Sequence, residues 1–371
     1  MDFTNDCSVV TLPNDFGSIP CRSSKTVKNS RFSIGFEALD RYMFKPEPCY
    51  DLVAETGVKW ARCMTGWRRC EPEKGVYDFA WLDDVVDNLL SRGIQPWFNV
   101  GYGNKLYMDD IPHEAAVGCV PLYYGEEAKQ AWCDYITALT LHFEGRVNHF
   151  EIWNESNGDA FWLPKGASGK EYTELVALTS TYIRQVNLNA KVAACLFGVD
   201  IPFIRECLKS GMGEYIQFFA LHPYGNIPEI GYVNEVKVIR SMLSEYAPHV
   251  KLWQGECGCP SQTLGHHDGW LGLYNMDETK QAKWVARRLL TDFSLDFDLI
   301  SYFHATDLME SDYVQADGKI RPPVMMGLLN GKSYTPKIAY QTFCGICSLF
   351  DENTQTATLY ARPYFNVSAA I

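Results

Sequence analysis

The sequence predicts an α/β protein of the (β/α)8, or TIM-barrel, class, flanked by short non-barrel N- and C-terminal segments. Three observations predict it. Eight short apolar runs recur along the 371 residues. Most are rich in β-branched and aromatic residues and several are apolar on both faces, as strands covered on both sides of a parallel sheet are. Amphipathic segments of helical period lie between them. A doubly wound open sheet is the runner-up, but it usually closes with fewer units, and no glycine-rich phosphate loop follows any strand.

The expected strands are FSIGF (32–36), VKWARCM (58–64), QPWFNVGY (95–102), VNHFEIWN (147–154), KVAACLFG (191–198), YIQFFALH (215–222), VKLWQGE (250–256) and LISYFHA (299–305). Between strands, WLDDVVDNLLSR (81–92) sets Leu82, Val85, Val86, Leu89 and Leu90 on one stripe, with Gly93 as its stop. Residues 126–143, 170–187, 233–246 and 277–294 show the same period. Segment 335–349 opens with Thr335 as an expected N-cap and Pro336 in the first turn. The barrel is expected over 31–349. Residues 1–30 read as an extension, and 350–371, where Thr, Tyr and Val recur in loose alternation, as the start or remnant of a small β element.

Composition narrows the function. A chain with 47% hydrophobic and 14% aromatic residues buries a large core. Its formal charge of −12, from 33 basic and 45 acidic residues, repels phosphate backbones, so nucleic acid is not an expected partner. No apolar stretch approaches the about 18 residues of a membrane span, so no membrane partner is expected. The N-terminus, MDFTNDCSVV, lacks the basic and apolar regions of a secretion signal. Thirteen scattered cysteines suit a reducing compartment, and the expected location is cytoplasmic.

In such a barrel the C-terminal strand ends build the active site, which turns those ends into a search list. Strand 4 ends in Trp153-Asn154-Glu155, strand 7 in Glu256, and strand 6 in His222-Pro223-Tyr224. Glu37 follows strand 1, Arg62 lies on strand 2, Asn99 on strand 3 and His304 on strand 8. Glu155 and Glu256 would face each other across the barrel. Glycoside cleavage requires such a pair, one carboxyl protonated beside the leaving oxygen and one ionised on the other face of the anomeric carbon. Arg62 beside Glu256 would favour its charge, and apolar Ile152 and Trp153 would keep the proton on Glu155. Singly, each residue has a plainer meaning: a surface or ion-paired Glu, a capping Asn154, a satisfied core His222, a structural Arg62.

Here the residues reach a family resemblance. EIWNES (151–156) resembles the acid/base segment of the glycoside hydrolase clan whose catalytic glutamates lie on strands 4 and 7, clan A. QGECG (254–258) resembles its nucleophile segment and LHPYG (221–225) its strand-6 segment. FEALDR (36–41) and TGWRRCEPEKGVYDFAWLD (65–83) look most like the family 39 β-xylosidase-like branch. The resemblance covers about residues 31–345. It implies a retaining glycosidase working without a cofactor or metal. Glu155 would be acid/base and Glu256 nucleophile. Asn154 would bind the sugar 2-hydroxyl, Tyr224 would orient Glu256, and His222 and Arg62 would complete the polar floor. Gly255 departs from the Thr or Ser that often precedes the nucleophile, Cys257 and Cys259 flank it unusually, and Phe303-His304 stands where a Trp commonly floors the sugar site.

Sugar rings present apolar C–H faces on which aromatic side chains pack. Trp67, Trp162 and Trp270, with Tyr102, Asn104 and Tyr107, are therefore expected pocket walls; Trp60, Trp97, Trp132 and Trp284 are expected core. The expected substrate is a carbohydrate, held by Asn154, Arg62, His222, Tyr224, Asn99, Glu37, Trp67, Trp162, Trp270 and His304. Two other functions are open to this barrel: a metal-dependent sugar isomerase using Glu155, Glu256 and His222 as ligands, and a non-catalytic carbohydrate-binding barrel. Cys257-x-Cys259 with His266-His267 fits no common zinc spacing.

Overall fold

A computed structural model describes residues 19–109, 111, 113–225, 227–230, 232–263, 275–309 and 323–354, with the backbone of 356–358 and 368–370. Eight strands form a closed, all-parallel barrel in sequence order: β1 Phe32–Phe36, β2 Trp60–Met64, β3 Gln95–Val100, β4 His149–Ile152, β5 Lys191–Phe197, β6 Phe218–His222, β7 Lys251–Gln254 and β8 Leu299–Tyr302. Closure is made by β8 on β1, with Ser301 opposite Ser33. β1 spans its whole apolar run; β2 and β6 lose residues only at their N-terminal ends, whereas β3, β4, β5, β7 and β8 stop short at their C-terminal ends, where the chain leaves the ladder.

The helices are α1 Tyr50–Ala54, α2 Trp67–Cys70, α3 Ala80–Ser91, α4 Gly125–His142, α5 Gly169–Val186, α6 Ile201–Lys209, α7 Tyr232–Tyr246, α8 Glu278–Ser294 and α9 Ile338–Leu349. Of these, α3 buries Leu82, Val85, Val86 and Leu89 of the expected stripe, with Leu90 half-buried, and is followed by Gly93 at φ +80°, the left-handed conformation that glycine adopts without cost. Three helices, α1, α2 and α6, are not evident from periodicity. The nine-residue α6 carries a clear start signal, Asp200 Oδ1 accepting from the Phe203 N–H at 3.0 Å with Pro202 in its first turn.

The start of α9 corrects an expectation. Thr335 does not cap it. The helix begins at Ile338, and Pro336 lies in a bridge to Leu329. Lys337 holds the preceding chain extended. Its N–H donates to Leu328 O, and its buried ammonium meets Asp307 Oδ1 at 2.5 Å and Ser261 Oγ at 2.9 Å. An ammonium removed from water must keep those partners, and that fixes the register.

The barrel interior is packed in layers. Its lower part is aromatic: Trp97 meets Trp253 edge-on at 5.1 Å, and Phe218 stacks on Trp253 at 4.2 Å. The main apolar core lies between strands and helices. Residues 19–30 run beneath the barrel, where Trp60 Nε1 donates to Ser30 O and Lys59 Nζ to Ser24 O. They also meet the end of α9 through an Arg22–Asp351 ion pair at 2.7 Å. Two short strands, Thr356–Thr358 and Ser368–Ala370, pair antiparallel. Among the described residues no helix is long and apolar enough to cross a membrane.

Candidate active site

The site begins with Arg62. Register places it between Gly35 of β1 and Trp97 of β3. It is fully buried and meets three carboxylates: Glu151 Oε2 at 2.5 Å, Glu256 Oε2 at 2.5 Å and Glu37 Oε1 at 3.1 Å. A buried guanidinium has five donors to satisfy, and Asn154 Oδ1 takes another from Nη2 at 2.9 Å. Glu37 folds back over Gly35, where a Cβ would stand 2.2 Å from its Oε2. A side chain at position 35 would thus displace Glu37.

The end of β4 is bent to deliver Glu155. Trp153 and Glu155 have φ of 65° and 48°, a region costing non-glycine residues roughly 1–3 kcal/mol each. The surroundings hold them there. Trp153 is wholly buried, its N–H donates to Val100 O, and its Nε1 donates to Phe161 O at 2.6 Å. Asn99 Nδ2 donates to both Trp153 O and Glu151 Oε2, each at 2.7 Å. The Glu155 N–H points at Cys195 Sγ, 3.4 Å away.

Glu155 and Glu256 meet around His222. The imidazole Nδ1 lies 2.9 Å from Glu155 Oε1 and 3.7 Å from Glu256 Oε2. One oxygen of each carboxyl and a ring nitrogen of His222 all lie within 4.8 Å of one another. Tyr224 donates to Glu256 Oε1 at 2.6 Å, opposite Arg62 on Oε2.

The surroundings push the two acids apart. Burial drives the Glu155 carboxyl above its ordinary value, only partly offset by His222, and the nearby Glu256 charge adds to the rise. Burial acts on Glu256 too, but His222, Arg62 and the Tyr224 hydroxyl outweigh it and bring its pKa below the usual value. Burial alone would discharge His222; Cys195, Glu256 and Glu155 prevail and hold its pKa well above normal. Glu37, desolvated more than Arg62 can offset, rises to about 7.

Of the expected residues, Glu155, Glu256, Asn154, Arg62, His222, Tyr224, Asn99 and Glu37 converge here. His304 touches Glu37 Oε2 at 3.7 Å but is fully buried, with both ring nitrogens engaged by the main chain at Glu37 and Thr306. Burial lowers its pKa to about 4 and keeps it neutral.

The expected aromatic walls are corrected. Trp67 is wholly buried between Tyr107, Trp132 and Tyr135, its Nε1 bonded to Glu71 at 2.5 Å. Trp162 is equally buried against Trp153 and Tyr172, donating to the Tyr123 hydroxyl. Tyr102 stacks on Phe161, and Asn104 caps Lys105–Tyr107 through the Leu106 N–H. Loop aromatics after a strand serve packing here because their polar tips find buried partners. Tyr107 stacks on Trp67 and bonds Glu71. Trp270, His266 and His267 lie outside the described residues. Cys257 and Cys259 are buried thiols directed at the carbonyls of Pro223 and Pro260.

Sequence inspection missed Glu151 and Cys195. Glu151 stands four residues before Glu155, and an acid placed within β4 between Phe150 and Ile152 was the available signal. Cys195 gave none. Two donor sets among the described residues have metal-ligating types close together: Glu155, His222 and Glu256, and Glu151, Cys195 and His222.

A closed β/α barrel that brings together a glutamate just after β4, its pKa raised, and one just after β7, its pKa lowered, matches the arrangement of barrel glycoside hydrolases. The chain belongs to glycosyl hydrolases family 39, whose family model matches residues 53–247, more than half of it. It is 29% identical over 169 residues to a β-xylosidase of Geobacillus stearothermophilus, covering 41% of this chain and 31% of the relative. It is 28% identical over 133 residues to the β-galactosidase bgaB of Geobacillus kaustophilus, covering 31% of the chain and 19% of the relative. The chain thus spans less than a third of these curated relatives. A family 39 glycoside hydrolase from the gut symbiont Bacteroides cellulosilyticus WH2 shares the fold, with TM-score 0.66, 19% identity, and coverage of 90% of this chain and 66% of that one.

Proposed function

We propose that the chain is a retaining β-glycosidase acting on oligosaccharides or small glycosides, with Glu155 as acid/base and Glu256 as nucleophile. One observation carries this: the two carboxyls approach within 4.8 Å around His222 and have opposite pKa shifts. Inverting pairs stand about 6.5–9.5 Å apart to admit a water, retaining pairs about 5–5.5 Å. The close pair favours direct attack.

In the first half-reaction Glu155 gives its proton to the glycosidic oxygen as the bond from the anomeric carbon to that oxygen breaks. The Glu256 carboxylate attacks the same carbon from the other face and forms a glycosyl ester. In the second, Glu155, now ionised, takes a proton from water as the water oxygen attacks the carbon. The ester bond breaks, and both groups return to their starting states. Arg62 and Tyr224 hold the two oxygens of Glu256 in place. Asn154, its Oδ1 fixed by Arg62, turns its amide N–H toward the sugar 2-hydroxyl. Asn99 and His304 hold Trp153 and Glu37, and Glu37 reaches the glycone. The assignment predicts turnover on a panel of nitrophenyl β-xylosides, β-galactosides, β-glucosides and β-mannosides. A 2-fluoro sugar of the preferred type should label Glu256; label on any other residue overturns the assignment.

A metal-dependent isomerase is the second reading, because Glu155, His222 and Glu256 offer donors within 4.8 Å. Arg62 and Tyr224 already engage both oxygens of Glu256, which favours the glycosidase. Loss of turnover in chelator, restored by Mg2+ or Mn2+, would reverse that preference. Sugar binding without turnover would instead support a non-catalytic barrel. Among the described cysteines none is joined to another in a disulfide, which supports a reducing, cytoplasmic location. Thiol labelling in fresh lysates without reductant should find them all reactive after unfolding.

A further inference from the structure

Beneath the catalytic pair lies a second cluster, of which the proposed chemistry draws only on His222. Cys195 on β5 brings Sγ to 3.3 Å from His222 Nε2, the nitrogen opposite the one that meets Glu155. Glu151 on β4 is wholly buried. Its Oε2 is taken by Arg62 and Asn99, and its Oε1 has no hydrogen-bond partner among the described residues. One donor atom from each of Glu151, Cys195 and His222 lies within 4.8 Å of the others. Gly255 forms the fourth side. A Cβ there would stand 3.0 Å from Glu151 Oε1 and 3.2 Å from His222 Nε2. Glycine therefore keeps open the space between those two atoms, and any other residue would fill it. A buried carboxylate oxygen left unbonded is costly, so a partner in that space would be strongly favoured.

We propose that this cluster binds one borderline or soft divalent cation of the Zn2+ class. Cys195 Sγ, His222 Nε2 and Glu151 Oε1 are the ligands, and the space over Gly255 holds a water as the fourth. Thiolate, imidazole and carboxylate in fourfold array select such an ion over Mg2+ or Ca2+, which take oxygen donors in larger number. Binding requires Sγ and Nε2 to coordinate without a proton, so any proton they carry leaves to solvent. The same imidazole meets Glu155 through Nδ1, so occupancy reaches the acid/base and turnover falls. That effect on turnover rests on the function proposed above; the binding does not.

The test titrates Co2+ into the full chain. One ion per chain should bind, with tetrahedral d–d bands and a near-ultraviolet thiolate-to-cobalt band, and Zn2+ should displace it. Because the chain has 13 cysteines, the variants assign the site. Cys195→Ser should lose the thiolate band. Gly255→Ala and Glu151→Gln should weaken binding about tenfold or more, each with a native circular dichroism spectrum. If Glu151→Gln does not fold, Gly255→Ala carries the test. No thiolate band in the wild type, or an undiminished one in Cys195→Ser, overturns the proposal. Zn2+ should lower nitrophenyl glycoside turnover in the wild type and lower it less in Gly255→Ala. Cobalt bound as described in a protein without glycosidase turnover would sink the Glu155 assignment and leave the site standing.

Discussion

Arg62 sets the electrostatics of the site. Its one positive charge is shared by Glu37, Glu151 and Glu256, so its loss strands several buried acids. Arg62→Ala should lower stability by about 3–5 kcal/mol, the cost of breaking a buried ion pair, readable in denaturant unfolding. The proposed roles of Glu155 and Glu256 carry a pH signature. On that proposal activity needs Glu256 ionised and Glu155 protonated. Glu256 has a lowered pKa and Glu155 a raised one, so the kcat/KM profile should be bell-shaped, its acid limb from Glu256 and its basic limb from Glu155. Glu155→Gln should lose the basic limb and cost about 10²–10⁴-fold in kcat/KM on glycosides with poor leaving groups. The loss of kcat/KM should be far less on dinitrophenyl glycosides, whose leaving group needs no proton, while kcat falls on both because the attacking water loses its base. An unchanged basic limb would remove Glu155 from the role. These two residues were legible because chemistry demands carboxylates at strand ends. Glu151 was not, because an inward acid midway along a strand makes sense only once Arg62 is seen beside it. The aromatic walls misled for the opposite reason: a tryptophan after a strand looks the same in sequence whether its indole N–H faces a sugar or a buried Glu71.

At the scale of elements, the β4 end is held by its neighbours rather than by its own preference. Tyr172 of α5 links two strands at once, its hydroxyl donating to Ile152 O at 2.7 Å and accepting from the Cys195 N–H at 2.6 Å. Tyr172→Phe leaves both main-chain groups buried and unpaired, and should cost about 1–3 kcal/mol for each group left without a partner. Thermal unfolding measures this. Because those strands carry Glu155 and Cys195, kcat should fall with it while KM holds. All eight strands were visible as apolar runs, since parallel strands covered on both faces cannot hide their hydrophobicity. The short α1 and α2 and the delayed start of α9 were not, because they are fixed by tertiary partners such as Asp307 on Lys337 rather than by local pattern.

For the molecule as a whole, stability must depend on pH through its buried acids. Glu37 rises from 4.5 to about 7 on folding, so the folded state binds its proton more tightly than the unfolded chain does. Its contribution is fully present below pH 4.5 and is lost as pH rises through about 7. The wild-type melting temperature should therefore fall more between pH 5 and pH 8 than that of Glu37→Gln, which cannot ionise. Equal slopes would mean that Glu37 keeps an ordinary pKa. The guanidinium that joins β1, β2, β4 and β7 also constrains redesign. A change to any one of its acids disturbs the other two, so altering sugar preference from the barrel floor would damage the machinery first. Respecification is far easier in the segments above the strand ends, and relatives that differ in preferred sugar should superpose closely around Arg62 while diverging at the rim.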